Sequence, residues 1–212
     1  MTSIAVIDYG MGNLRSVSKA LEHVAPGARV QVTSDPAAVA AADRVVFPGQ
    51  GAMPECMREM EACGLRPAVL AAANSRPFLG ICIGLQMLFD SSEEGNVPGL
   101  ALMPGRVRRF PKGAMVDSAG HRLKVPHMGW NEVRQQKEHP LWSGIAEGTR
   151  FYFVHSYYAE AGDQALVSGL CDYGVPFTCA VSRDNIFAVQ FHPEKSDIAG
   201  LRLLANFIDW KP

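Results

Sequence analysis

The residues best placed to do chemistry are a cysteine between glycines and a histidine two positions before a glutamate. Gly80-Ile81-Cys82-Ile83-Gly84 follows an apolar run and precedes a helical pattern. A nucleophile on such a strand-to-helix turn is held in a strained, exposed position, and flanking glycines allow the tight turn. The N-terminus of the next helix favours a thiolate over a thiol. Late in the chain, Phe191-His192-Pro193-Glu194 closes another apolar run. An extended backbone points residues two apart to one side, and Pro193 biases His192 toward that geometry. A free cysteine in an apolar run is more often a small buried hydrophobe, and a lone histidine at a strand end is more often structural. Together, and in the order Cys, His, Glu, they read as a triad. Cys82 would be the nucleophile, His192 its acid and base, and Glu194 the group that orients His192.

Other segments fit around this centre. Pro48-Gly49-Gln50-Gly51 ends an apolar run and reads either as an ordinary glycine turn or as a backbone donor for an oxyanion. The N–H of Ile83, just after the nucleophile, would be the second donor. Gln86 lies one helical turn beyond Cys82, on the same face. It could hydrogen-bond a substrate amide or acid, or simply sit on the helix surface. Gly10-Met11-Gly12 with Asp35 downstream imitates a dinucleotide-binding start, but Arg15 stands where the third glycine belongs. Arg106, Arg108, Arg109 and Lys112 form a short cationic stretch that reads first as a solvated face. His121, His127 and His139 lack metal-ligand spacing and read as surface or interface residues.

The elements that must position these groups follow from periodicity. Ile4–Asp8, Arg29–Val32, Arg44–Phe47 and Pro77–Ile81 read as strands. Helical patterns begin at Asn13 and at Ser34-Asp35-Pro36, and run over Glu55–Ala62, Pro67–Asn74 and Gly84–Phe89. This alternation predicts an α/β fold with a largely parallel central sheet and flanking helices. In the second half Arg106–Phe110, Val125–Val133, Arg150–Ala159 and Leu166–Asp172 read as strands with no long helices between them. Phe177–Ser182 and Ile186–His192 form a hairpin about Arg183-Asp184-Asn185, and Ile198–Trp210 closes as an amphipathic helix. These strands predict a smaller antiparallel region. No linker divides the chain, so residues 1–212 read as one domain.

Composition narrows the class of function. With 212 residues, 48% hydrophobic and 19% charged, the chain can bury a sizeable core and is not disordered. A formal net charge of -1 supplies no global basic field for nucleic acid or an anionic membrane. The longest apolar run, Pro77–Phe89, is shorter than the roughly 20 residues of a spanning helix. The start MTSIAVIDYG reads as a strand rather than a leader, having no basic residue before Arg15. An odd count of 5 cysteines with no C-x-x-C pair argues against a disulfide framework or structural zinc, and suits a reducing cytoplasm.

PGQGAM at 48–53, GICIGLQML at 80–88, HSYY at 155–158 and VQFHPEKS at 189–196 occur in an order that spans nearly the whole chain. In this order they resemble the class I (triad-type) glutamine amidotransferases. The resemblance implies a flavodoxin-like α/β domain that hydrolyses L-glutamine to glutamate and ammonia, with no cofactor and no metal. It implies a triad of Cys82, His192 and Glu194, an oxyanion strand at Gly49, Gln50 and Gly51 completed by Ile83, and glutamine held by Gly51, Gln86, Ser156 and Tyr157. DYGMGNLRSV at 8–17 and VPHMGWNEV at 125–133 resemble the branch that makes imidazole glycerol phosphate and an aminoimidazole carboxamide ribotide in histidine biosynthesis. That branch implies a heterodimer with a cyclase subunit of (β/α)₈ barrel form, docked near Asn13, Arg15 and Trp130. Other readings keep the triad and change the acceptor, or make the chain a cysteine peptidase acting on γ-glutamyl compounds. Gln86 with His155-Ser156-Tyr157 argues against the peptidase, and an intact triad argues against a purely structural interaction module.

Overall fold

The computed structural model describes residues 1–111, 115–116 and 120–212. Lys112, named above in the cationic stretch, lies outside them. The first half alternates β1 (Ser3–Ile7), α1 (Leu14–Val24), β2 (Arg29–Thr33), α2 (Pro36–Ala41), β3 (Arg44–Gly49), α3 (Met53–Ala62), α4 (Arg66–Ala73), β4 (Phe78–Cys82) and the single turn α5 (Ile83–Gln86). Local chemistry starts α1 and α2 as expected. The Asn13 side chain accepts from the Ser16 N–H at 3.4 Å, and Asp35 accepts from Ala37 N–H at 2.9 Å, with Pro36 in the first turn.

Strands then dominate: β5 (Phe89–Ser92), β6 (Val97–Pro98), β7 (Met103–Arg109), β8 (His127–Glu132), β9 (Arg134–Gln135), β10 (Arg150–His155), β11 (Tyr157–Ala161), β12 (Val167–Asp172), β13 (Pro176–Arg183) and β14 (Ile186–Val189). The helix α6 (Asp197–Asp209) closes the chain. One large sheet has the order β2-β1-β3-β4-β14-β13-β11-β7-β5-β6, with β12 pairing β13. The strands from β2 to β14 are parallel, and from β14 onward through β13, β11 and β7 the neighbours run antiparallel. The parallel and antiparallel regions thus share one sheet of a single α/β domain. Strands β8 and β10 pair separately as a two-stranded antiparallel sheet.

Every residue of β3, β4 and β14 is buried. Continuous burial, rather than alternation, means that both faces of these central strands are covered. The position of β14 matters most for function. It comes from the far end of the sequence, yet lies parallel beside β4 with Val189 opposite Ile81. The carboxyl ends of β3, β4 and β14 therefore open at the same edge, where sites form in such sheets.

Two expectations need correction. The helix predicted over Gly84–Phe89 stops after one turn, and Phe89 opens β5. The Leu88 and Met87 carbonyls accept from Leu102, Met103 and Leu100 N–H instead of continuing a helix. The strand predicted over Arg150–Ala159 breaks at Ser156: β10 pairs with β8, and β11 pairs with β7 and β13. Both halves alternate or run apolar, so a change of sheet leaves no mark in their pattern. Among the described residues, no helix is long and apolar enough to cross a membrane.

Candidate active site

Cys82 is the last residue of β4 and turns into α5 with φ 56° and ψ -109°. A non-glycine residue in this region costs on the order of 1–3 kcal/mol and persists only where its surroundings enforce it. Close packing does so here. A Cβ on Gly84 would strike the Phe47 carbonyl, and one on Gly80 would stand 2.9 Å from the Ala188 Cβ. The two glycines let β3 press against α5, and β14 against β4.

The chain beyond β14 brings His192 to the same edge. His192 N–H donates to Tyr152 O at 2.9 Å, and the His192 carbonyl accepts from Ser196 Oγ at 2.6 Å. His192 Nδ1 meets Glu194 Oε1 at 2.8 Å, and both side chains are almost fully buried. The other ring nitrogen, Nε2, has no hydrogen-bond partner within the protein. Burial acts to strip the ring of its proton. The Cys82 sulfur, and after it Glu194, outweigh burial and raise His192 to about 10. The imidazole thus keeps its proton at neutral pH, next to a sulfur and braced by a carboxylate.

A second set of contacts reaches Cys82 from the other side. Gln190 Nε2 donates toward Cys82 Sγ at 3.7 Å, and Gln190 Oε1 accepts from Gln86 Nε2 at 3.0 Å. Gln86 Nε2 also donates to Tyr157 O at 3.0 Å. Its Oε1 is buried without a partner. Gln86 is therefore an interior residue, not a helix-surface one, and holds a free acceptor ready. Gln190, fully buried, is a contact that motif reading missed.

Cys82, His192 and Gln86 line a cavity of about 300 Å³. Gln50, Gly51, Ile83, Gln86, Ser156 and Tyr157 all face it with Cys82 and His192. Gly49 stands just behind, paired with Cys82 across β3 and β4. Gly51 has φ +107°, a conformation open to glycine. Glu94 also lines the cavity and accepts from Met53 N–H through Oε2 at 2.8 Å. No motif marked this carboxylate, because it comes from the β5–β6 loop. A larger hollow of about 530 Å³ beside Arg109, Arg122 and Lys124 contains none of these groups.

The remaining candidates lie apart from the cavity. Asn13 caps α1 and Arg15 is exposed on its first turn. Trp130 is 44% exposed on β8 and meets Tyr152 edge-on at 6.1 Å, so it is not a core residue. Two histidines expected at the surface or an interface are drawn inward, His127 fully and His139 in part. His127 is buried, and His139 caps the 140–142 turn by accepting from Leu141 N–H at 3.1 Å, with its ring against Phe187 and Trp210. Among the described residues, no cluster of three His, Cys, Asp or Glu side chains is placed to hold a metal ion.

Comparison with known proteins agrees with this geometry. The family model for glutamine amidotransferase class-I matches residues 5–210. The chain is 72% identical over 210 residues, covering 99% of it and 97% of the relative, to the imidazole glycerol phosphate synthase subunit HisH of Dechloromonas aromatica. It is 69% identical, over the full length of both, to the subunit of the same name from Aromatoleum aromaticum. Among solved structures, PurLQS from Thermotoga maritima superposes with TM-score 0.72 at 17% identity, covering 98% of each chain. The glutaminase domain of Trypanosoma brucei CTPS with bound acivicin gives 0.65 at 18% identity, covering 100% of this chain and 96% of that one. These two likenesses concern the fold. The sequence matches, which run from end to end, carry the assignment: the chain belongs to the class I glutamine amidotransferases and, within them, to the group of the HisH subunits.

Proposed function

We propose that residues 1–212 act as one amidotransferase domain that hydrolyses L-glutamine and passes the ammonia to a separate cyclase subunit, for synthesis of imidazole glycerol phosphate. The observation that carries this reading is the buried His192–Glu194 pair, whose histidine lines a cavity of amino-acid size together with Cys82. The Cys82 thiolate attacks the side-chain carboxamide carbon of glutamine. The oxyanion that forms is held by backbone N–H groups of Ile83 and of the Gly49–Gln50 strand. His192 gives its proton to the departing ammonia, leaving a γ-glutamyl thioester. His192 then takes a proton from water, which attacks the thioester, releases glutamate and restores Cys82. Glu194 keeps His192 oriented and charged. Gly51, Gln86, Ser156 and Tyr157 hold the substrate, and the Glu94 carboxylate suits its α-ammonium group.

The partner in this reading is a cyclase of (β/α)₈ barrel form, bound as a heterodimer at Asn13, Arg15 and Trp130. The names of the relatives, subunits of imidazole glycerol phosphate synthase, support a two-subunit enzyme. Its free cysteines suit a cytoplasmic setting.

The test is glutamate release from L-glutamine by the chain alone, then with the cyclase and its nucleotide ligand. Strong stimulation by that pair is expected. Cys82→Ala should abolish the glutamine-dependent synthesis and leave synthesis from ammonium salts intact. Activity indifferent to the cyclase would move the function to another acceptor, and hydrolysis of a γ-glutamyl peptide without any partner would favour a peptidase.

A further inference from the structure

Two buried histidines that the mechanism does not use form a hydrogen-bonded line, which begins at the cavity wall with His155 and runs outward to His127. His155 and His127 face each other across the β10–β8 pair. His155 Nδ1 lies 2.8 Å from Tyr157 O, and His155 Nε2 lies 2.9 Å from His127 Nδ1. His127 Nε2 lies 3.3 Å from Asn131 Nδ2, which also donates to Asp172 O at 2.7 Å. The His127 ring is stacked between Tyr173, at 3.9 Å, and Phe153, at 4.8 Å.

The protons on this line are fixed from both ends. A carbonyl oxygen only accepts, so His155 Nδ1 must carry hydrogen and its Nε2 must accept. His127 Nδ1 must therefore donate. From the other end, Asn131 Oδ1 is taken by the Glu132 N–H at 2.8 Å, so its amide nitrogen faces His127, whose Nε2 must accept. The two deductions agree. Both rings are neutral with hydrogen on Nδ1, and burial supports this by lowering His127 to about 4 and His155 to about 3.

The line ends on the carbonyl that also holds Gln86. Tyr157 O receives His155 on one side and Gln86 on the other. The amide that it steadies belongs to a residue lining the cavity, keeps its Oε1 without a partner and connects through Gln190 to the Cys82 sulfur. We propose that His127 and His155 are positioning residues for glutamine hydrolysis, a relay of fixed tautomer that ties the outer strand β8 to the Tyr157 carbonyl and so to Gln86. This rests on the glutaminase reading above. Strand β8 bears the exposed side chains of Met128 and Trp130 on either side of Gly129. Whatever bears on that strand acts at one end of the relay, and the substrate-facing amide is at the other.

The test uses the full chain in complex with its cyclase. Long-range ¹⁵N–¹H correlation spectra of the histidine-labelled protein at pH 7 should show His127 and His155 as the Nδ1–H tautomer. His127→Phe keeps a ring in the stack and removes both hydrogen bonds. It should lower kcat/KM for glutamine about tenfold, mostly through KM, and leave synthesis from ammonium salts unchanged. His127→Asn returns an N–H donor near the Nδ1 position and should recover most of that loss, while a variant that only loosened packing would not be rescued. An Nε2–H tautomer on either ring, or wild-type kinetics in His127→Phe with an unchanged melting temperature, would overturn the proposal. A wild-type complex that fails to hydrolyse glutamine would instead overturn the glutaminase reading and with it the catalytic role of the relay, while the spectra would still show whether the relay exists.

Discussion

Gly49 and Cys82 stand opposite each other on the ladder between β3 and β4. The end of the oxyanion segment and the proposed nucleophile thus share one rung, and Ile83 packs directly over Gly49. A Cβ added at Gly49 would stand 2.8 Å from the Ile83 Cβ and would strike the Tyr9 hydroxyl, which donates to Pro48 O at 2.9 Å. Gly49→Ala should displace Ile83, whose N–H is the proposed oxyanion donor. Glutamine turnover should fall by about 100-fold, as for loss of one donor, with ammonium-dependent synthesis retained. Steady-state assays on the complex decide it; turnover within twofold of wild type would remove this rung from the mechanism.

Glu194→Gln keeps the size of the side chain and removes its charge. His192 is held up at about 10 partly by that carboxylate, after the Cys82 sulfur has opposed burial. The variant should lose turnover by about 100-fold or more while its KM for glutamine changes little, because orientation counts most in the transition state. A kcat equal to that of the wild type would make Glu194 a purely structural residue.

The buried histidines give stability a pH dependence with two opposite limbs. Burial lowers His127 to about 4 and His155 to about 3. The unfolded chain titrates near 6.5, so below that value it binds protons that the native chain refuses. Their contribution is whole above pH 6.5 and is lost as pH falls toward 4 and 3, at up to about 1.4 kcal/mol per pH unit for each ring. His192 has the reverse sign, since its folded value is raised. Its contribution is whole below pH 6.5 and is lost as pH rises toward 10. Melting temperature should peak near neutrality, and His127→Phe should flatten the acid limb. A melting temperature that stays constant from pH 7 to pH 5 would contradict the neutral-histidine assignment.

Trp130 presents an exposed aromatic on β8, with Tyr152 behind it. Exposed aromatics of this kind are common anchors of interfaces, and truncating one typically costs about 2 kcal/mol or more of binding. Trp130→Ala should weaken cyclase binding accordingly in calorimetric titration and leave the melting temperature of the free chain nearly unchanged. Undiminished affinity would place the docking face elsewhere.

The proposed triad stood out in the sequence because Cys82 and His192 close apolar runs beside glycine or proline, with Glu194 two residues beyond His192. The parallel half was legible too, where helical and strand periods alternate cleanly. Gln190 could have been found by the same rule that linked His192 to Glu194, since it precedes His192 by two and directly follows the buried strand β14. Glu94 could not, because nothing local marks a loop residue that meets the cavity from across the sheet. The His127–His155 contact was equally hidden, since it depends on which strand pairs with which, and the break at Ser156 concealed that pairing. The short helix α5 was overextended because Met87, Leu88 and Phe89 continue its apolar pattern, while their carbonyls accept from residues 100–103.

The break at Ser156 has a wider consequence. Because β10 and β8 form a ladder of their own, the surface bearing Met128 and Trp130 is built on a different scaffold from the strand ends that carry Cys82 and His192. Such a division makes the outward ribbon interchangeable. Substitutions can accumulate at its outward side chains, such as Met128 and Trp130, without touching the Tyr152 carbonyl that holds the His192 backbone. A shared chemical engine could in this way diversify the machines to which it is coupled, provided that each exchange preserves the histidine line and the bond from His192 N–H to the Tyr152 carbonyl on β10.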